Sequence, residues 1–214
     1  MRKTSLIVYD FDGTLVDTLF DIADSVNLTL ADLSLSQLSR ETIQKYVGKG
    51  VERLMSQTLN GTDFKDIPRA VSFFKKHYSE NLVNHTDFYP HGREILEHFK
   101  DKKQAICSNK PESFVLQILE SLNGLHHFEA IVGGDSIKSK KPDPEGLNLI
   151  LEQLNVSADE AVLIGDSPVD IETGKRAGVY TCVVNYGLGF AEEITAAKPD
   201  CSVDCLSELK KVFC

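Results

Sequence analysis

Apolar positions change their spacing twice along this chain. Leu6-Ile7-Val8-Tyr9 is an unbroken apolar run with β-branched members, the pattern of a parallel strand covered on both faces. From Leu19 onward the period is helical, with Ile22, Val26, Leu30 and Leu33 on one stripe and further helical patterns over Val51–Leu59 and Arg69–Leu82. Beyond Tyr89-Pro90, short apolar runs alternate with helical stretches: helix near 93–100, strand 104–107, helix near 113–122, strand 130–132, helix near 145–154, strand 161–164, helix near 169–177 and strand 180–184. That alternation is the grammar of βαβ units in one parallel sheet. Residues 199–214 read as a short strand and a closing helix. Only one strand precedes the helical block, so the block is read as an insertion, residues 16–85, whose two connections act as a hinge. The sheet is then built from residues 1–15 and 86–214.

The strands of this pattern run into polar residues suited to one kind of chemistry. Asp10-Phe11-Asp12-Gly13-Thr14 follows the first apolar run directly. Residues two apart in an extended chain share a side, so Asp10 and Asp12 can face one ligand at the strand mouth while Phe11 turns into the core. Open α/β sheets bind ligands at the carboxyl ends of their strands. Gly13 allows a sharp turn, and Thr14 adds a hydroxyl for an anion. The strand ending at Cys107 leads into Ser108-Asn109-Lys110-Pro111, where a hydroxyl and backbone N–H groups stand before a helix start, a ready anion site. In Lys140-Lys141-Pro142-Asp143-Pro144 the proline holds Lys141 extended, which makes it a fixed cation. Gly165-Asp166-Ser167-Pro168-Val169-Asp170 contributes two more carboxylates. Gly165 admits close backbone approach, and Asp166 has a competing use as the cap of the helix that follows.

Two acidic strand ends facing each other repel, by about 4 kcal/mol for unit charges about 4 Å apart at an effective dielectric of ~20. A divalent cation removes that penalty. Oxygen ligands without His or Cys favour Mg²⁺. Mg²⁺ together with Lys141 would let a phosphate dianion approach the carboxylates, so the arrangement suits phosphoryl transfer.

Composition narrows the partners. The chain has 214 residues, 42% hydrophobic and 26% charged, enough for one sizeable core plus a subdomain. Its formal net charge of -9 and a pI near 5.1 argue against nucleic acid or an anionic membrane as the main partner. No apolar stretch approaches the roughly 20 residues of a membrane span, and the N-terminal run is too short for a signal peptide, so a cytoplasmic location is expected. The five cysteines are expected to be free thiols. Cys201 and Cys205 lack a further His or Cys at zinc-ligand spacing.

Four motifs in order, Asp10-Phe11-Asp12-Gly13-Thr14, Ser108, Lys141-Pro142, and Gly165-Asp166 with Asp170, resemble the haloacid dehalogenase superfamily of phosphotransferases over essentially the whole chain. The resemblance implies an α/β fold, a Rossmann-like parallel-sheet core with an inserted small α-helical cap. Within the superfamily the chain looks most like phosphoglycolate phosphatases, through Leu15-Val16-Asp17-Thr18, Asp21-Ile22-Ala23, Val47-Gly48-Lys49-Gly50, Gly133-Gly134-Asp135 and Lys141-Pro142-Asp143-Pro144. Pyrophosphatases and sugar-phosphate phosphatases share several of these stretches. A β-phosphoglucomutase-like isomerase and a non-catalytic binding protein on the same scaffold are the remaining alternatives.

The implied roles follow residue by residue. Asp10 is the nucleophile, forming an aspartyl-phosphate. Asp12 is the acid and then the base. Ser108 binds phosphoryl oxygens, and Lys141 neutralises the phosphoryl charge and holds Asp10. Asp10, the Asp12 backbone carbonyl and Asp166 hold Mg²⁺, with Asp170 supporting Lys141 or metal-bound water. Substrate contacts are expected from Thr14, Gly48, Lys49, Ser108, Asn109 and Lys141. Lys49, and Arg53 beside it, are the cations expected to bind a substrate carboxylate, although the family does not require a lysine there. The expected partner is a small phosphorylated metabolite, and the expected assembly a monomer or homodimer.

Overall fold

The structure is a computed structural model that describes residues 2–214. Strand β1 (Leu6–Tyr9) is buried along its whole length, as its uninterrupted apolar run requires. After a two-residue strand β2 (Val16–Asp17) come four helices, α1 (Leu19–Asp32), α2 (Arg40–Gln44), α3 (Val51–Thr58) and α4 (Ile67–Glu80), and the chain returns through β3 (Asp87–Phe88). Helices and strands then alternate: α5 (Gly92–His98), β4 (Lys103–Cys107), α6 (Glu112–Ser121), β5 (Ala130–Val132), α7 (Glu145–Leu154), β6 (Ala161–Gly165), α8 (Pro168–Ala177), β7 (Tyr180–Val184), α9 (Ala191–Ala197), β8 (Cys201–Val203) and α10 (Leu209–Val212).

The main sheet has six strands in the order β5-β4-β1-β6-β7-β8, and every neighbouring pair is parallel. The α/β expectation therefore holds. Successive residues of β1 face opposite sides, as the strand period dictates. Ile7 and Tyr9 join a core with Ile95, Leu96, Val115 and Ile118 that continues into the helical block, while Leu6 and Val8 pack with Leu147 and Ile150. Because β1 lies between β4 and β6, successive connections leave it in both directions, and the carboxyl ends of those three strands border one crevice.

The helical block is attached where β2 and β3 pair antiparallel, Val16 with Phe88 and Asp17 with Asp87. Asp21, in the first turn of α1, is buried, and its carboxylate accepts from the backbone N–H groups of His85 (3.0 Å) and Thr86 (2.9 Å) and from the Thr86 hydroxyl (2.7 Å). A buried carboxylate needs such donors, and these tie the outgoing chain to the returning one.

Three features differ from the sequence expectation. The β2–β3 ribbon and α2 were not anticipated: two-residue strands and a five-residue helix are too short to register a period. The closing helix is a 3₁₀ turn, Leu206–Glu208, followed by the four-residue α10.

Candidate active site

Three motif loops meet because their strands are neighbours. Asp10 follows β1, Ser108 follows β4 and Asp166 follows β6, so all three emerge at the same edge of adjacent parallel strands. Lys141 arrives from the long connection between β5 and α7. Asn109 fixes that arrival: its amide oxygen accepts from the Lys141 backbone N–H at 2.8 Å, and its amide nitrogen donates to the Lys141 carbonyl at 3.1 Å.

Lys141 Nζ is 2.9 Å from Asp10 Oδ1 and 2.6 Å from Asp170 Oδ1, with all three side chains close to fully buried. Burial works against the ammonium charge, but the two carboxylates outweigh it and raise the Lys141 pKa above its ordinary value. Asp170 serves the local fold as well. Its other oxygen accepts from the backbone N–H (3.1 Å) and hydroxyl (2.6 Å) of Ser167, closing a capping box at the start of α8. Ser167, not Asp166, therefore caps this helix, and Asp166 is left for the site. Gly165 is required here, because a methyl group on it would overlap Asp170 Cβ and Cγ.

Asp166 accepts from the Thr14 hydroxyl (2.8 Å) and the Leu188 N–H (2.7 Å). Thr14 is wholly buried, so its hydroxyl, expected to meet an anion, instead orients a carboxylate. Burial first, and then the neighbouring Asp170 charge, push the Asp166 pKa up to about 7. Burial likewise pushes Asp10 up to about 8; Lys141 opposes the rise, while Asp170 and Asp166 add to it. Asp10, Asp166 and Asp170 each place one carboxylate oxygen within 4.8 Å of the others. With its three carboxyls ionised, the cluster sets a single ammonium against three negative charges and is left with surplus negative charge. All-oxygen donors with surplus negative charge fit a hard divalent cation.

The Asp12 side chain lies outside this cluster. Its Oδ1 accepts from the Thr18 hydroxyl at 2.6 Å and from Lys110 Nζ at 2.8 Å, and Lys110 also donates to the Tyr78 hydroxyl at 2.7 Å. Thr18, Lys110 and Tyr78 are site residues that sequence reading missed. Lys110 stands within the Ser108-Asn109-Lys110-Pro111 motif, and its adjacency to Ser108 was the available signal. Tyr78 lies on α4, and only the fold of the helical block brings it in. A small cleft opens beside Asp10 and Asp12, lined by Ile22, Val51, Leu54, Phe74 and Tyr78 of the block and by Ser108, Lys110 and Phe114 of the sheet unit.

The remaining expected residues distribute as follows. Ser108 is buried beside the cleft, with its hydroxyl accepting from the Lys110 N–H at 3.3 Å. The Asn109 side chain is committed to Lys141 and to the Gly48 carbonyl (2.9 Å), which links the block to the sheet unit. Gly48 borders both this cleft and a second opening near Asp166, Pro168 and Phe190. Lys49 is exposed and borders only the second opening and a shallow outer groove; Arg53, also exposed, borders that groove beside Pro142, Pro168 and Glu172.

Comparison with known proteins agrees with this architecture. A family model described as haloacid dehalogenase-like hydrolase matches residues 7–184, and the chain belongs to that family. Its full-length similarity is to phosphatases within it. The chain is 37% identical over 210 residues to a phosphoglycolate phosphatase of Aquifex aeolicus, covering 97% of this chain and 96% of the relative. It is 34% identical over 218 residues to one from Colwellia psychrerythraea, covering 98% and 96%. A crystal structure described as a predicted phosphoglycolate phosphatase from Haemophilus somnus superposes with a TM-score of 0.94 at 29% identity, covering 99% of each chain.

Proposed function

We propose that this chain is a Mg²⁺-dependent phosphomonoester hydrolase that works through an aspartyl-phosphate on Asp10, with 2-phosphoglycolate as substrate. The observation that carries the reading is the division of labour between two carboxylates only two residues apart: Asp10 faces Lys141 at 2.9 Å, whereas Asp12 faces the cleft with Lys110. One suits the phosphoryl group and the other the leaving group.

A carboxylate oxygen of Asp10 attacks phosphorus as the bond to the ester oxygen breaks, and Asp12 gives that oxygen a proton. Water then attacks the aspartyl-phosphate, Asp12 takes up one of its protons, and phosphate departs with Asp10 restored. Lys141 and Ser108 bind the phosphoryl oxygens, and Lys141 keeps Asp10 in place through both steps. Asp10, the Asp12 backbone carbonyl and Asp166 would hold Mg²⁺, which when bound supplies positive charge against the incoming phosphate. Residues 16–85 act as a cap whose helices enclose the leaving group. The substrate assignment rests on the small cleft and on the named activity of the Aquifex and Colwellia relatives.

The test is phosphate release with Mg²⁺ from 2-phosphoglycolate, pyrophosphate, β-glucose 1-phosphate and several sugar phosphates, with Asp10→Asn as the blank. Preference for phosphoglycolate, lost in the blank, is the expected result. A flat profile would remove the substrate, and silence throughout would remove the reaction.

A further inference from the structure

We infer that Lys110 is the specificity-determining cation of this site, and that it selects phosphate esters of 2-hydroxy carboxylic acids by pairing with the carboxylate of the leaving group. The inference rests on the phosphatase reading above.

Among the described residues that line the cleft beside Asp12, Lys110 carries the only positive charge. The other polar side chains there are Asp10, Asp12, Tyr78, Ser108 and Asn109, and the wall contributed by Ile22, Val51, Leu54, Phe74 and Phe114 is apolar or aromatic. The ammonium is nearly excluded from solvent, with 4% of the side chain exposed, and a buried charge is kept only where partners hold it. Two partners are visible, Asp12 Oδ1 at 2.8 Å and the Tyr78 hydroxyl at 2.7 Å. An ammonium has three N–H donors, so one remains for a ligand in the cleft. The lysine backbone is held from both directions, its N–H on Ser108 Oγ at 3.3 Å and its carbonyl accepting from Gly134 N–H at 2.8 Å, so the stem starts from a fixed point.

Chemistry sets the length of the ligand. The ester oxygen must reach Asp12 to receive its proton, and Lys110 Nζ stands one hydrogen bond from that carboxylate. An anionic group on the carbon that bears the ester oxygen therefore falls within reach of Nζ, as it does in 2-phosphoglycolate. An anion placed further along the leaving group would meet the apolar wall. Lys49 and Arg53 do not line this cleft, so they cannot provide the same contact.

The experiment compares kcat/KM for 2-phosphoglycolate and for 2-hydroxyethyl phosphate, whose alcohol replaces the carboxylate, in wild type, Lys110→Met, Lys110→Arg and Lys49→Ala. The wild-type ratio is expected to favour phosphoglycolate. In Lys110→Met the ratio should fall by about tenfold to a hundredfold, the range of a hydrogen bond to a charged group, mainly through KM. Lys110→Arg should recover part of it, and Lys49→Ala should keep it. Lys110→Gln retains a donor for Asp12 while removing the charge, and takes the place of the methionine variant if that one does not fold. A wild-type preference that persists in the neutral variants, or an equal loss on both esters, overturns the recognition role and leaves Lys110 as a positioning residue for Asp12. A ratio lowered only by Lys49→Ala transfers the role to the loop. A wild-type ratio near one instead defeats the substrate reading itself.

Discussion

Removing divalent cation should make this protein progressively less stable as pH rises from 5 to 8, the reverse of what ordinary carboxylates do. Asp10 and Asp166 are buried acids whose pKa values stand at about 8 and about 7, against 3.8 for an unperturbed aspartate. For a raised carboxyl pKa the folded state holds its proton where the unfolded state has lost it. That contribution is complete below about pH 4 and is lost as pH climbs through the folded pKa. For Asp166 alone the rise from 3.8 to about 7 corresponds to about 4 kcal/mol at 1.36 kcal/mol per pKa unit. Asp10 extends the window to about pH 8; its contribution does not simply add, because both groups answer to the same Asp170 charge. In a domain of this length 1 kcal/mol moves Tm by roughly 2 to 4 °C, so titration of Asp166 accounts for at most roughly 8 to 16 °C of the Mg²⁺ gain in Tm at pH 8. At pH 5 the gain should be small. The assay is thermal unfolding by circular dichroism in EDTA and in Mg²⁺, at pH values from 5 to 8. Asp166→Asn serves as the control, and should flatten the EDTA slope and remove most of the Mg²⁺ gain. His127, whose pKa burial lowers below 6.5, acts in the opposite sense towards acid pH but does so in both proteins, and cancels in the difference. A Tm in EDTA that, relative to Asp166→Asn, is flat or rising across this range, or a Mg²⁺ gain equal at pH 5 and pH 8, would refute the claim that the cluster carries unbalanced buried charge.

Further outcomes follow from the same structure. Asp21→Ala removes the acceptor for the His85 and Thr86 N–H groups, and should cost about 2 to 4 kcal/mol in urea unfolding, with raised amide exchange at residues 85–86. Gly165→Ala should cost about 1 to 3 kcal/mol through overlap with Asp170, and should lower kcat more than it raises KM, since Asp170 bears on Lys141 and not on the leaving group.

How much of this was readable beforehand depends on the range of the interaction concerned. The alternation of helices and strands was legible because an apolar run such as Ala161–Gly165 or a stripe such as that of Glu145–Leu154 is a local signal, set by which faces must leave water. The convergence of the candidate site residues was legible for a related reason: Asp10, Ser108 and Asp166 each stand immediately after a strand, so a local motif also states where in a parallel sheet the side chain emerges. The β2–β3 ribbon offered no such signal, being two residues a side and defined only by pairing across the whole helical block.

By itself the sequence determined the parallel α/β core, the insertion of a helical block after the first strand, and the acidic and basic groups gathered at the strand ends. Only the tertiary structure decided which hydroxyls and cations serve which carboxylates. Thr14 went to Asp166, while Lys110, and not Lys49, entered the cleft beside Asp12. Those choices join residues as far apart as 152 positions, and in the unfolded chain every one of these groups is hydrogen-bonded to water. It is burial that removes the water and obliges each charge to take the partner that the packed fold brings within reach.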